Sequence, residues 1–500
     1  MLKKLVLLPL LLAPWLGPAS AAPLSQSATG TAAYALATYH DALIETLGQM
    51  VRYNTVADPA VPFEQNPQQQ AFKRYLQGEA QRLGLDFHDY GHVMVIGLGS
   101  GSERVGIITH GDVQPVDPSK WAKSPFELDR TSEPGRLLGR GTEDDKGPIA
   151  TAMYAMKAIQ DRKVQLSKRL ELYVYMAEES DWAPLQAFLK DHTPPQMNIT
   201  LDSEYPAVTA EKGWGALKIA MPAQAAPAGD GPVLQSFKGG FFGSQIPEDA
   251  SAVITHATPA LEAQIRARGA AQSGMRYQFA WQDATLTVTA RGLSAHSSKP
   301  EAGVNAISML ADALQVRPWQ GTAPAAMVSL LNELVGTGLY GERFGHIAYR
   351  DAFMGPMTVA PTVLKQNEAG LELNINLRRP RGKSKEELEA QVRQAFDGWK
   401  AAHLPQATLT AEIGEPWQQD SAPQLDTLLA VFGHYTGQRD AHPVAIGGST
   451  NSRLFPHAVS FGPAMPHTVY TGHSEHEFIT EKQLLLNLQM YTAAMVEMAR

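Results

Sequence analysis

Between His92 and Pro206 the chain keeps returning to one device: a short run of strand-forming residues that stops on an acid or a histidine. "HVMVIGLG" (92–99) is a strand-forming run that ends on glycine, and "RVGIITHGD" (104–112), "LELYVYMAEES" (170–180) and "MNITLDSEYP" (197–206) are the instances of the device. Between the later ones, apolar residues at helical spacing predict helices over about 148–160 and 184–189. Strands alternating with helices predict an α/β fold whose mixed sheet is largely parallel, with its chemistry at the carboxyl ends of the strands. The first two runs flank "SGSE", a hairpin-type turn. Gly97, Gly99 and Gly101 near it are not a phosphate loop, since no helix follows them. Two further amphipathic helices are expected upstream, over 34–51 and 68–83.

From Gly213 the texture changes. "AMPAQAAPAGDGP" reads as loop, and "ATLTVTARG" (284–292) and "LELNINLR" (371–378) alternate apolar and polar residues as half-exposed strands do. "SKEELEAQVRQAF" opens on Ser384 with Glu387 three positions on, a capping-box pattern, and "ATLTAEI" adds another alternating strand. The pattern then returns to helix, strand and a last helix over 483–499. An α+β domain over 213–416 therefore reads as inserted between two parts of a catalytic domain, 22–212 and 417–500.

Composition narrows the chemistry. A formal net charge of -8 offers no field for nucleic acid or anionic lipid. The 500 residues contain no cysteine, so any metal must be held by nitrogen and oxygen. Residues 1–21 carry Lys3 and Lys4, an apolar run over 5–16 and Ala19-Ser20-Ala21. That run is shorter than the ~20 residues a spanning helix needs, and Pro9, Pro14 and Pro18 break it. It reads as a cleavable signal peptide, which makes the mature protein periplasmic or secreted and free of the membrane.

"GRGTEDDKGP" sets Glu143, Asp144 and Asp145 side by side at the mouth of a helix, where their charges repel. Other segment ends add His110 and Asp112, Glu178 and Glu179, and Asp202, while "VYTGHSEHEFI" offers His473 and His476. Carboxylates converging in one sheet are tolerable when cations neutralise them. Histidine mixed with carboxylate suits zinc, manganese or cobalt better than magnesium or calcium.

Taken in order, "THGDVQP", "GRGTEDDKGP", "AEES", "LDSEYP", "SAHSSKPEAGVNA" and "GHSEHEF" resemble the di-zinc metallopeptidases of family twenty, which include carboxypeptidase G, aminoacylases and dipeptidases. Among them the PepV-type dipeptidases are most similar. The resemblance implies a zinc-peptidase-like catalytic domain with an inserted lid, and two zinc ions for which manganese or cobalt could substitute. His110 and Asp202 would bind one ion and Glu179 and His473 the other, with Asp144 bridging them alongside a water; Asp145 would be no ligand. It also implies a cis peptide bond at Asp144–Asp145.

Glu178 would then be the general base and Asp112 would accept the His110 ring N–H, as carboxylates behind metal-bound imidazoles do. His296 matches a lid histidine that polarises the scissile carbonyl, and Arg378 in "INLRRPRG" an arginine that binds the substrate carboxylate. Gly447, Gly448 and Ser449 in "AIGGSTNSRL" match a glycine-rich loop beside the substrate's C-terminus. One departure is Ser244 in "GSQIP", where PepV-like lids tend to carry Asn. The activity implied is hydrolysis of dipeptides by a monomer whose lid acts in cis. An N-acyl-amino-acid deacylase or a carboxypeptidase would use the same core, and a non-catalytic binding protein would have no need of Glu178. No G-x-S-x-G elbow is present for a serine hydrolase.

Overall fold

The computed structural model describes residues 23–225, 229–319 and 321–500. The expected signal peptide, 1–21, lies outside the described residues. Among those described, no helix is long and apolar enough to cross a membrane.

Two large sheets organise the chain. At the centre of the first, Arg169–Tyr175, Arg104–His110, Met197–Thr200 and Val459–Ser460 run parallel in that spatial order. Antiparallel strands flank them, with Val93–Leu98 and Asp86–Asp89 on one side and Val208–Glu211 and Trp417–Gln418 on the other. The central strands are apolar on both faces because both are covered. In Arg169–Tyr175, Leu170, Leu172 and Val174 enter the main core with helices Gln26–Val51, Lys146–Asp161 and Glu481–Ala499. Tyr173 and Tyr175 point to the opposite face, under Leu185 of helix Ala183–Asp191. This is the two-residue alternation of a strand buried on both sides.

One expectation fails here. Val93–Leu98 and Arg104–His110 are not a hairpin: Arg169–Tyr175 lies between them, antiparallel to the first and parallel to the second. The hairpin partner of Val93–Leu98 is Asp86–Asp89, a polar edge strand without the apolar alternation that marks strands in sequence.

The second sheet is antiparallel throughout and built from eight strands between Gly213 and Ile413. Its outer strands alternate buried and exposed residues, as in Thr285–Arg291, where Leu286, Val288 and Ala290 face inward. Gly213–Pro222 takes the first residues of the segment read as loop into this sheet, between Gly370–Arg379 and Thr408–Ile413. Ser384 caps helix Lys385–His403 by accepting the Glu387 N–H, as the sequence pattern suggested. The core beneath this sheet shares no residue with that of the first. A short pairing, Gln245–Ile246 with Ala295–His296, sets Gln245 opposite His296 and carries both to the loop that holds His473.

Leu488, fully buried in the last helix, joins that helix to the main core. Leu488→Ala should cost about 2–5 kcal/mol through lost burial and the cavity left behind, read as a lower urea midpoint for the unit containing the first sheet.

Candidate metal centre

Each acid or histidine at a strand end is delivered by the strand before it. His110 is the last residue of Arg104–His110, Glu178 and Glu179 follow Arg169–Tyr175, and Asp202 follows Met197–Thr200. Because these strands are parallel neighbours, all four side chains reach the same edge of the sheet. Asp144 arrives from the turn before helix Lys146–Asp161 and is followed by a cis Asp144–Asp145 bond. His473 comes from the loop preceding the short strand Phe478–Thr480.

Asp144 lies between the two imidazoles. Its Oδ1 is 2.8 Å from His110 Nε2 and its Oδ2 is 3.1 Å from His473 Nε2. His110 Nε2 is also 3.8 Å from Asp202 Oδ2, and His473 Nε2 is 2.7 Å from Glu179 Oε1. Ligands that share one ion at ~2.0–2.2 Å in tetrahedral geometry stand a little over 3 Å apart, so these separations suit two cations flanking one carboxylate. Donor atoms of His110, Asp144 and Glu179 fall within one ion-sized space, and those of His110, Glu178 and Asp202 within another. The donors are imidazole nitrogen and carboxylate oxygen, a set that accepts zinc, manganese or cobalt.

The electrostatics show what a cation has to balance. Burial, and then the charge of Asp202, hold the Glu178 carboxyl well above its ordinary range. Burial likewise pushes Asp202 up to about 7, even against its hydrogen bond to His110. Burial favours a neutral His473, but Glu179 and Asp144 outweigh it and raise that imidazole to about 10.

Asp112 differs from expectation. The His110 Nδ1–H meets the Asp112 main-chain carbonyl at 3.0 Å, with the Asp112 carboxylate farther off at 3.5 Å. That carboxylate instead accepts the main-chain N–H groups of Glu178 and Glu179, each at 3.0 Å. Asp112 therefore sets the pair of glutamates as well as the histidine. Of the crowded acids, Asp145 accepts the His110 main-chain N–H at 3.2 Å, and Glu143 turns to Thr471. Lys146 buries its ammonium against the Tyr53 carbonyl. His476 stays outside the cluster and pairs with Glu133.

A cleft opens over the cluster. Asp144, Glu178, Glu179, Asp202 and His473 line it, joined by His296 from the short strand Ala295–His296 and by Gly448 and Ser449. The His296 ring centroid is 4.4 Å from that of His473. Gly447 lies behind Gly448 against Ser298, where a Cβ would come within 2.4 Å of the Ser298 carbonyl oxygen, so only glycine fits. Arg378 does not line the cleft; it is buried behind the wall, donating to Asn376 at 2.9 Å and to Ser297 at 3.3 Å. Ser244 contributes its carbonyl to the Ser297 N–H.

Several residues escape reasoning from sequence. Tyr470 donates to Asp144 Oδ2 at 2.8 Å, Gln114 to Glu179 Oε2 at 2.8 Å, and Gln245 to the His473 carbonyl at 2.9 Å. Glu211 accepts from Thr450 and Arg453 and so anchors the glycine-rich loop. Glu477 lies inside a motif already singled out, where the histidines drew the attention. An acid four residues after His473 is the trace it leaves along the chain.

A model of peptidase family M20/M25/M40 matches residues 106–497. The chain is 28% identical over 468 residues to a beta-Ala-Xaa dipeptidase of Lactobacillus delbrueckii subsp. lactis, a match covering 92% of this chain and 96% of that protein. Among solved structures, human carnosine dipeptidase 1 is similar with a TM-score of 0.60 at 16% identity, over 95% of this chain and 100% of that one. The di-peptidase Dug1p of Saccharomyces cerevisiae is similar with a TM-score of 0.58 at 13% identity, over 94% and 98%.

Because the Asp112 carboxylate holds the Glu178–Glu179 turn, Asp112→Ala, which keeps the main-chain carbonyl facing His110, should lower metal affinity about 10–100-fold, measured by competition with a chelator.

Proposed function

The chain belongs to peptidase family M20/M25/M40 and is a metallopeptidase; from that premise we propose that it is an exported dipeptidase using two divalent cations. The observation that carries this reading is the Asp144 carboxylate, which presents one oxygen to His110 and the other to His473. His110 and Asp202 would hold one cation, Glu179 and His473 the other, with Asp144 shared. Cations bound there supply Lewis acidity to the scissile carbonyl and lower the pKa of the attacking water towards neutrality. Zinc is the expected ion, with manganese and cobalt compatible with the same donors. The relative acting on beta-Ala-Xaa dipeptides supports a short peptide substrate.

The remaining steps fall to the chain's own groups. Glu178 sits beside Glu179 without pairing to either imidazole, and its carboxylate lines the cleft 3.4 Å from Asn451 Nδ2. It takes the proton of the attacking water and returns it to the departing amine. His296 stays neutral, because burial and then the charges of His473 and Arg378 hold its pKa well below the ordinary value. Its Nδ1 accepts the Ser298 N–H at 3.0 Å, so the ring proton resides on Nε2. That N–H is free to donate to the carbonyl oxygen as it gains charge. His296 belongs to the same chain as His473, which favours catalysis by a monomer. Gly448 and Ser449 approach the C-terminal side of the substrate, and Arg378 would act through Ser297 unless closure on substrate brings it forward. Domain 213–416 would serve as the lid in that closure. The signal-like residues 1–21 support export to the periplasm or beyond.

Metal analysis paired with a panel of dipeptides and N-acetyl amino acids tests this. Glu178→Ala should keep its metals and lose turnover; retained turnover would show that another group takes the proton. His296→Ala should retain the metals while kcat falls about 10²–10³-fold, in single-turnover measurements on a good dipeptide.

A further inference from the structure

Outside the metal cluster, a carboxylate and an ammonium face each other across the same cleft. Glu204 ends the short strand Ser203–Glu204, two residues after Asp202, and this strand pairs in parallel with Pro463–Ala464. Lys299 stands three residues after His296, in the turn closed by its main-chain N–H on the His296 carbonyl at 3.0 Å. The two side chains form an ion pair, and both line the cleft that holds Asp144, Glu178 and His296. Each partner thus neighbours a residue of the reaction centre, one on either wall.

The surroundings of this pair suit an ammonium that comes and goes. The Lys299 Nζ lies 5.9 Å from the Tyr470 ring, the same tyrosine that donates to Asp144. An ammonium between a carboxylate and an aromatic face is favourably placed, and a substrate ammonium presents the same charge and the same three donors. The Lys299 and Glu204 side chains are 31% and 21% exposed, so the pair is wet and cheap to exchange rather than sealed. An unblocked dipeptide carries its ammonium within one residue of the scissile carbonyl. An acyl amino acid has no charge there to offer.

Building on the dipeptidase reading, we propose that Glu204 binds the free amino terminus of the substrate and that Lys299 occupies this position until substrate displaces it. The pair then selects dipeptides with an unblocked amine over acyl amino acids. The selection arises because only an ammonium compensates Glu204 once Lys299 has moved aside and the cleft has lost its water.

Alanyl-leucine and propionyl-leucine differ only in that amine, and their kcat/KM values on the metal-loaded parent, Glu204→Gln and Lys299→Met test the proposal. The parent should prefer alanyl-leucine. In Glu204→Gln that preference should shrink by roughly tenfold or more, chiefly through a higher KM for alanyl-leucine. In Lys299→Met, which frees Glu204, the KM for alanyl-leucine should fall while the preference persists. Equal losses on both substrates in Glu204→Gln would reduce the pair to a latch and overturn the assignment. So would an unmoved preference, or a higher KM for both substrates in Lys299→Met. A parent that prefers propionyl-leucine would instead refute the dipeptidase reading itself, whatever the variants do.

Discussion

The structure turns on one carboxylate shared between two imidazoles that come from distant parts of the chain. Asp144 can sit 2.8 Å from His110 and 3.1 Å from His473 only if the turn that carries it is held rigidly. Glu477 does this. One of its oxygens accepts the main-chain N–H groups of Glu143 and Asp144, at 2.9 and 3.0 Å, and the other accepts the Gly141 N–H and the Arg140 guanidinium. Both Glu477 and Arg140 are buried, so removing either would strand a charge out of water, a loss of about 3–5 kcal/mol. Since Glu477 follows His473 by four residues, this one buried side chain fixes the loop of one candidate ligand to the turn of another.

The first sheet supplies the other candidate ligands at little conformational cost, because parallel neighbours end at the same edge and deliver His110, Glu179 and Asp202 together. The second sheet reaches that edge through a two-residue strand pair. Gln245 holds the His473 carbonyl while His296, opposite it in the pairing, lays its ring against the His473 ring. A candidate metal ligand and the histidine proposed to polarise the carbonyl are thereby positioned by the same few residues, which links the approach of the second sheet to the assembly of the site.

Much of this was legible in the sequence because the governing signals are local. An apolar run ending on a histidine or an acid gives both a strand and its end, and six ordered motifs, three of them at such ends, resembled one family. Strand neighbours were not legible. The pairing of Val93–Leu98 with Arg169–Tyr175 spans a long stretch of chain, and the true hairpin partner is a polar edge strand with no burial pattern to show. The roles of Asp112, Gln245, Tyr470 and Glu477 were hidden for a related reason. Their work is hydrogen bonding to main-chain groups or to other ligands, which depends on tertiary placement and leaves no spacing rule along the chain. Arg378 shows the converse: its motif matched, yet in this conformation its guanidinium is engaged by Asn376 and Ser297 behind the cleft wall.

The most direct test is stoichiometric: strip the protein with a chelator, add zinc back in steps, and follow bound metal per chain together with dipeptide hydrolysis. Activity should be absent from the stripped protein and reach its plateau as the second equivalent binds. Full hydrolysis by the metal-free chain, or a plateau at one ion with no second ion bound, would contradict a centre built on two cations about Asp144.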